Sequence, residues 1–189
     1  RVPRKRERGA YDMISNKREY HYYMECDRVA LRKETRFPRL IGDVEWKYER
    51  WLRRTEYYQH CNKLFYFFSK LMLHHYSMAT GFQIALNTCG PGLSLAHRGT
   101  VIINSKSHVG SNCRIQTGVT LGTTNGDVEA PALGNNVFLG EGCKIIGNVT
   151  IADDVCIGAN AVVVKDILEP GTWGGYLQKK SAIIHLIVI

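Results

Sequence analysis

Aromatic side chains nearly vanish from the second part of this 189-residue chain: of 19 Phe, Trp and Tyr residues, 16 lie before residue 83. Proline is scarce, at 5 residues, and the 6 cysteines form no Cys-x-x-Cys and no Cys/His cluster of metal-ligand spacing, which argues against a zinc ribbon or a disulfide framework. No metal site is expected, and unpaired thiols suit a cytoplasmic protein. No apolar run of roughly 18 residues exists to cross a bilayer, and no apolar segment follows the basic start Arg1 to Arg8 as a secretion signal would require. Leu, Ile and Val, by contrast, number 44, too many for a disordered chain.

Charge and glycine divide the chain. Residues 1–70 carry 18 Lys/Arg against 10 Asp/Glu, whereas residues 71–189 carry 7 against 7, so the net charge of +8 belongs to the first part. Of 18 glycines, 16 fall between Gly81 and Gly175. Three segments follow: 1–80, a helical region with a basic tail; 81–175, a glycine-punctuated domain; and 176–189, an atypical C-terminal tail.

In the first segment, spacing predicts a helix from Asn16 to about Glu34, stopped near Pro38. A second is capped by Asp43 and runs to about Cys61, and a third starts at Asn62 and is stopped by Gly81. The third is apolar on more than one side, so Leu64, Phe65, Phe67, Phe68 and Leu71 should pack on helical neighbours or on another subunit. Arg50, Arg53 and Arg54, with the basic tail, read as a solvated helix face. No helix-turn-helix, zinc-finger or RNA-binding signature accompanies them, so no nucleic-acid partner is expected.

The second segment carries a repeat. Every sixth residue from Val109 gives Val109, Ile115, Leu121, Asp127, Leu133, Leu139, Ile145, Ile151, Ile157 and Val163, nine aliphatics in ten positions. Small or aliphatic residues recur four positions later, at Cys113, Val119, Val137, Cys143, Val149, Val155 and Ala161. A period of six fits neither an amphipathic helix nor a hairpin. It describes short strands joined by tight turns, three to a coil, each aliphatic stacked on its copy 18 residues away. Asp127 breaks the series inside Thr123–Ala132, which should leave the coil as a loop.

This pattern resembles the hexapeptide-repeat acyltransferases, which implies a mainly β fold, a left-handed parallel β-helix, after the helical region. Within that class GPGLSLAHRGT (Gly90 to Thr100), NCRIQTGVTLGTT and EGCKIIGNVTIADDVCIGANAVV are similar to serine acetyltransferase and to relatives that acetylate saccharides. The resemblance implies acetyl transfer from acetyl-CoA, as co-substrate, to a hydroxyl. It makes His97 the general base, because an imidazole can accept a proton near neutrality. It places Thr123, Thr124, Gly142, Lys144, Ala159 and Lys165 along the CoA arm, and Arg98, Asp127 and Glu129 toward the acceptor. It also implies a homotrimer, or a multiple of one, with the cleft between neighbouring coils.

Three positions depart from the serine-specific pattern: Ala96 stands where an Asp precedes the base, Ala130 where a His precedes the loop proline, and Phe82 where an acid orients the base. A zwitterion needs both ends paired, so these departures lead to the expectation of a saccharide acceptor, with L-serine as the alternative and a non-catalytic assembly coil as a third reading. After Gly174-Gly175 the resemblance implies Val/Ile-Pro-Ala-Lys. The chain has Tyr176-Leu177-Gln178-Lys179-Lys180. If these are coded TAC CTG CAA AAA AAA after a Gly codon ending in A, reading one base earlier gives Ile-Pro-Ala-Lys, so a frameshift within or before Gly175 is the expectation here.

Overall fold

The computed structural model describes residues 14–124, 129–175 and 179–180. Helix α1 (Lys17–Ala30) begins where the Asn16 side chain accepts the Glu19 amide at 2.9 Å, satisfying a first-turn donor. It ends at Ala30, before the expected Glu34, because Arg32 turns into the left-handed region at φ 54°. Helix α2 (Val44–Cys61) follows Asp43, whose side chain makes no cap bond. That carboxylate is instead spent on the segment before the helix, accepting from Lys33 Nζ at 2.6 Å and the Arg39 amide at 3.0 Å. Helix α3 (Lys63–Thr80) behaves as expected: Asn62 caps Leu64 and Phe65, and Gly81 closes it at φ 83°. On α3, Phe65 stacks on Tyr58 and Phe68 meets Trp51 edge-on, whereas Leu64, Phe67, Leu71 and Met78 stay exposed in the single chain.

From Phe82 the chain winds as a left-handed parallel β-helix. One face stacks β1 (Phe82–Ile84), β3 (Val101–Ile103), β6 (Thr120–Gly122), β9 (Lys144–Ile146) and β12 (Val162–Val163). The second stacks β4 (His108–Val109), β7 (Ala132–Leu133) and β10 (Thr150–Ile151). The third stacks β2 (Ser94–Leu95), β5 (Arg114–Ile115), β8 (Phe138–Leu139), β11 (Val155–Ile157) and β13 (Gly171–Gly174), with β14 (Lys179–Lys180) added antiparallel to β13. Every other pairing is parallel, at ~4.8 Å between coils. The aliphatic series forms the axial core: Ile115, Leu139 and Ile157 are in register on one face, and Leu121, Ile145 and Val163 on another, all at most 1% exposed.

Lys144 pairs with Val162, 18 residues on, but Thr120 pairs with Lys144, 24 residues on. The additional residues form the loop between β6 and β7, as the break at Asp127 predicts; Asp127 itself lies outside the described residues, as does the tail apart from the backbone of Lys179 and Lys180. The edge between the second and third faces is a structural one. Asn112, Asn136 and Asp154 sit there with φ of 56°, 56° and 61°, a conformation that short polar side chains tolerate best after glycine. They bond in a ladder, Asn112 to Asn136 at 3.3 Å and Asn136 to Asp154 at 2.9 Å. Cys89, Cys113 and Cys143 are buried in the coil, where burial pushes each thiol up to about 12, so they are packing residues.

Candidate active site

His97 lies on the edge between β2 and β3, exposed, with no side chain holding its imidazole among the described residues. Gly99 makes the bend possible: its φ is 141°, and a Cβ there would land on the Thr117 hydroxyl of the next coil. Where an orienting acid could stand, Phe82 is fully buried with Tyr48 edge-on at 5.1 Å. Arg98 turns toward the helical region, its Nε 3.6 Å from Glu45 Oε1 on the first turn of α2.

The stretch leading to His97 is clamped by buried charges from α1 and α2. Asp27 Oδ1 accepts the amides of Gly92 and Leu93 at 2.8 and 2.9 Å. Arg53 binds Asp27 at 2.7 Å and Glu56 at 3.0 Å, and donates to the carbonyls of Cys89 and Gly90 at 2.8 and 2.7 Å. Glu56 and Glu49 take the amides of Asn87 and Leu95, each at 2.8 Å. Six main-chain groups of a non-repetitive segment, which would otherwise be desolvated without partners, are thereby satisfied. Burial opposes the Arg53 charge, but Asp27 and Glu56 outweigh it and hold the guanidinium well above its ordinary range. Glu49 has no such cation bonded to it. Burial first, and the charge of Asp27 second, push its carboxyl well above the usual range, and its Oε2 has no hydrogen-bond partner.

Of these four residues the sequence singles out Arg53 alone, on an expected solvated basic face, and the structure corrects that face: Arg53 is 0% and Arg50 6% exposed. The i, i+4, i+7 spacing of Glu49, Arg53 and Glu56 is the one sequence signal that could have marked a buried charged stripe, but it equally fits surface ion pairs.

The remaining candidates separate onto two edges of the prism. His97, Arg98, Gly142 and Ala159 share the edge between the third and first faces. Thr123, Thr124, Glu129 and Lys165 share the edge between the first and second, beside the β6–β7 loop. Lys144 lies on the strand face between the edges, and its Nζ bonds the Gly118 carbonyl. Gly142 has a coil-stacking reason for being glycine: its φ is 74°, and a Cβ would strike the Asn160 side chain. Ala159, Thr124, Glu129 and Lys165 are exposed, and Thr123 is half-buried. A single chain therefore does not bring His97 and the loop residues together. Among the described residues no helix is long and apolar enough to cross a membrane.

Comparison with known proteins places this geometry. Residues 131–165 match the family described as bacterial transferase hexapeptide (six repeats). A serine acetyltransferase of Helicobacter pylori is 38% identical over 118 residues, 61% of this chain and 69% of that protein. One from Synechococcus elongatus is 38% identical over 101 residues, 52% of this chain and 41% of that protein. A solved serine acetyltransferase in complex with cysteine superposes with a TM-score of 0.71 at 24% identity, covering 88% of this chain and 71% of that one, a likeness of fold. The expected saccharide acceptor is corrected by these matches, because these relatives are serine acetyltransferases.

Proposed function

Because the chain belongs to the serine acetyltransferase family, we propose that it is an acetyl-CoA-dependent O-acetyltransferase whose acceptor is the hydroxyl of L-serine. The observation that carries the acceptor is the Glu45–Arg98 pair beside the base, 3.6 Å apart and only partly shielded, with side chains 22% and 66% exposed. It offers one acid for an ammonium and one cation for a carboxylate, the two charges a bound zwitterion must meet. Ala96 leaves the coil without an acid beside His97, and Glu45 of α2 supplies one against Arg98 of the coil.

His97 takes the proton of the serine hydroxyl as its oxygen attacks, and its exposed position on the bend leaves the imidazole open to an acceptor. Acetyl-CoA supplies the acetyl group as an activated thioester. Thr123, Thr124, Ala159 and Lys165 are accessible for its arm, whereas Lys144 and Gly142 serve the coil itself. Since the base and the loop residues lie on different edges, the complete site belongs between two copies, His97 of one facing the β6–β7 loop of the next, in a homotrimer or a multiple of it.

The test is CoA thiol release from acetyl-CoA with L-serine, set against a hexose and amino-sugar panel. L-Serine is expected to give the highest kcat/KM. Glu45→Ala and Arg98→Ala should each raise KM for serine about tenfold, the loss of roughly one charge-assisted contact. Faster turnover of a sugar, or an unchanged KM in both variants, would overturn the acceptor.

A further inference from the structure

The helical region holds a polar cleft that acetyl transfer does not use. A cavity of about 240 Å³ opens between α1, residues 31–43 and the start of α2, lined by His21, Met24, Glu25, Arg36, Trp46 and Arg50. Arg50 is 6% exposed, yet no carboxylate pairs with it among the described residues. It donates once, to the Arg36 carbonyl at 2.6 Å, and lies 5.1 Å from the Phe37 ring centre and 5.5 Å from that of Trp46. One carbonyl and two ring faces do not neutralise a guanidinium. Arg53, one turn along the same helix and buried more completely, has two carboxylates.

The surroundings add positive potential and donors. Burial, together with the charges of Arg54 and Arg36, pulls the Arg50 pKa below its ordinary value. Arg36 Nη2 meets His21 Nδ1 at 3.2 Å, which orients it along the cleft wall. Glu25, the acid in the lining, is engaged by Arg28 at 2.6 and 3.0 Å. The Trp46 indole Nε1 is buried with no acceptor. A buried cation without a counter-charge lines this cavity, and Trp46, which also lines it, carries a buried donor without an acceptor; an anionic group answers both.

We propose that this cleft binds a small ligand through an oxyanion, a carboxylate or a phosphate gripped by Arg50 and Arg36, with Met24 and Trp46 as the apolar wall for its body. A guanidinium fork matches either group bidentately. None of the lining residues belongs to the acetyl-transfer site, so binding here is measured without turnover.

The experiment titrates the full chain with inorganic phosphate and, separately, with acetate, by calorimetry and tryptophan fluorescence. Saturable binding of one or both is expected. It should weaken at least tenfold in Arg36→Ala, whose side chain is exposed so that folding is spared, and in Arg50→Lys, which keeps the charge but loses the fork. It should persist in His97→Ala. Phosphate binding alone assigns a phosphorylated ligand, and acetate binding alone a carboxylate. Absence of saturable binding by either anion, or binding unchanged in both arginine variants, would overturn the proposal.

Discussion

Glu49 and Leu95 meet across the boundary between helix and coil: the carboxyl of Glu49 accepts the Leu95 amide at 2.8 Å, two residues before His97, with its second oxygen unpartnered. A carboxyl held this way is better buried neutral than charged, and its folded-state pKa lies above the unfolded value. Its contribution to stability is therefore complete below the unfolded pKa of about 4.3 and declines as pH rises toward the folded value. In Glu49→Gln the amide oxygen keeps the Leu95 bond and this titration disappears. Urea unfolding is expected to show the variant gaining on wild type as pH rises above 5, by up to about 1.4 kcal/mol per pH unit until the folded pKa is passed. A pH-independent difference would show that Glu49 is ionised in the folded protein.

Arg53→Met should be among the most damaging single changes outside the axial core. It leaves Asp27 and Glu56 buried without their cation and frees the carbonyls of Cys89 and Gly90. Removing one partner of such a network costs about 3–5 kcal/mol, measured as a fall in ΔG of urea unfolding. A loss below 1 kcal/mol would mean that the clamp relaxes at no consequence.

His97→Ala removes the proposed base from an exposed bend, so the fold and its oligomeric state should survive while kcat falls by about 10²–10⁴. Circular dichroism, light scattering and thiol release check the three parts. Activity within tenfold of wild type would exclude His97 as the base.

Mixing tests the proposed shared site. His97→Ala chains combined with chains carrying Thr123→Ala and Glu129→Ala, each inactive alone, should regain about a quarter of wild-type activity after joint refolding, because random assembly of the proposed trimer would place an intact His97 edge against an intact loop in that share of sites. No recovery would place both edges in service of separate sites.

Gly99→Ala forces a side chain into a φ of 141° and against Thr117. A loss of about 1–3 kcal/mol is expected from strain and overlap together, with kcat reduced because the bend carries His97. Adding Thr117→Ala should recover the overlap share alone, a partial rescue seen as an intermediate unfolding midpoint.

The coil is legible along the chain alone. Inward positions recur every six residues, so a local pattern is enough to reveal Val109, Ile115 and their successors as core and the Asp127 break as a loop, although the expected 18-residue stacking becomes 24 where that loop intervenes, Val109 on Leu133 and Ile115 on Leu139. It likewise announced Asn62 and Gly81 as helix ends, since caps act within a few residues. What the charged helices do depends instead on how they dock against the coil. Asp27 pairs with Arg53, and its Oδ1 takes two further partners 65 and 66 residues away that are backbone amides, which leave no residue-type signature. The same is true of Glu45 beside Arg98: Ala96 and Ala130 report an absence along the coil, but whether another element supplies the missing charge depends on how α2 docks, a long-range packing outcome that no local spacing encodes.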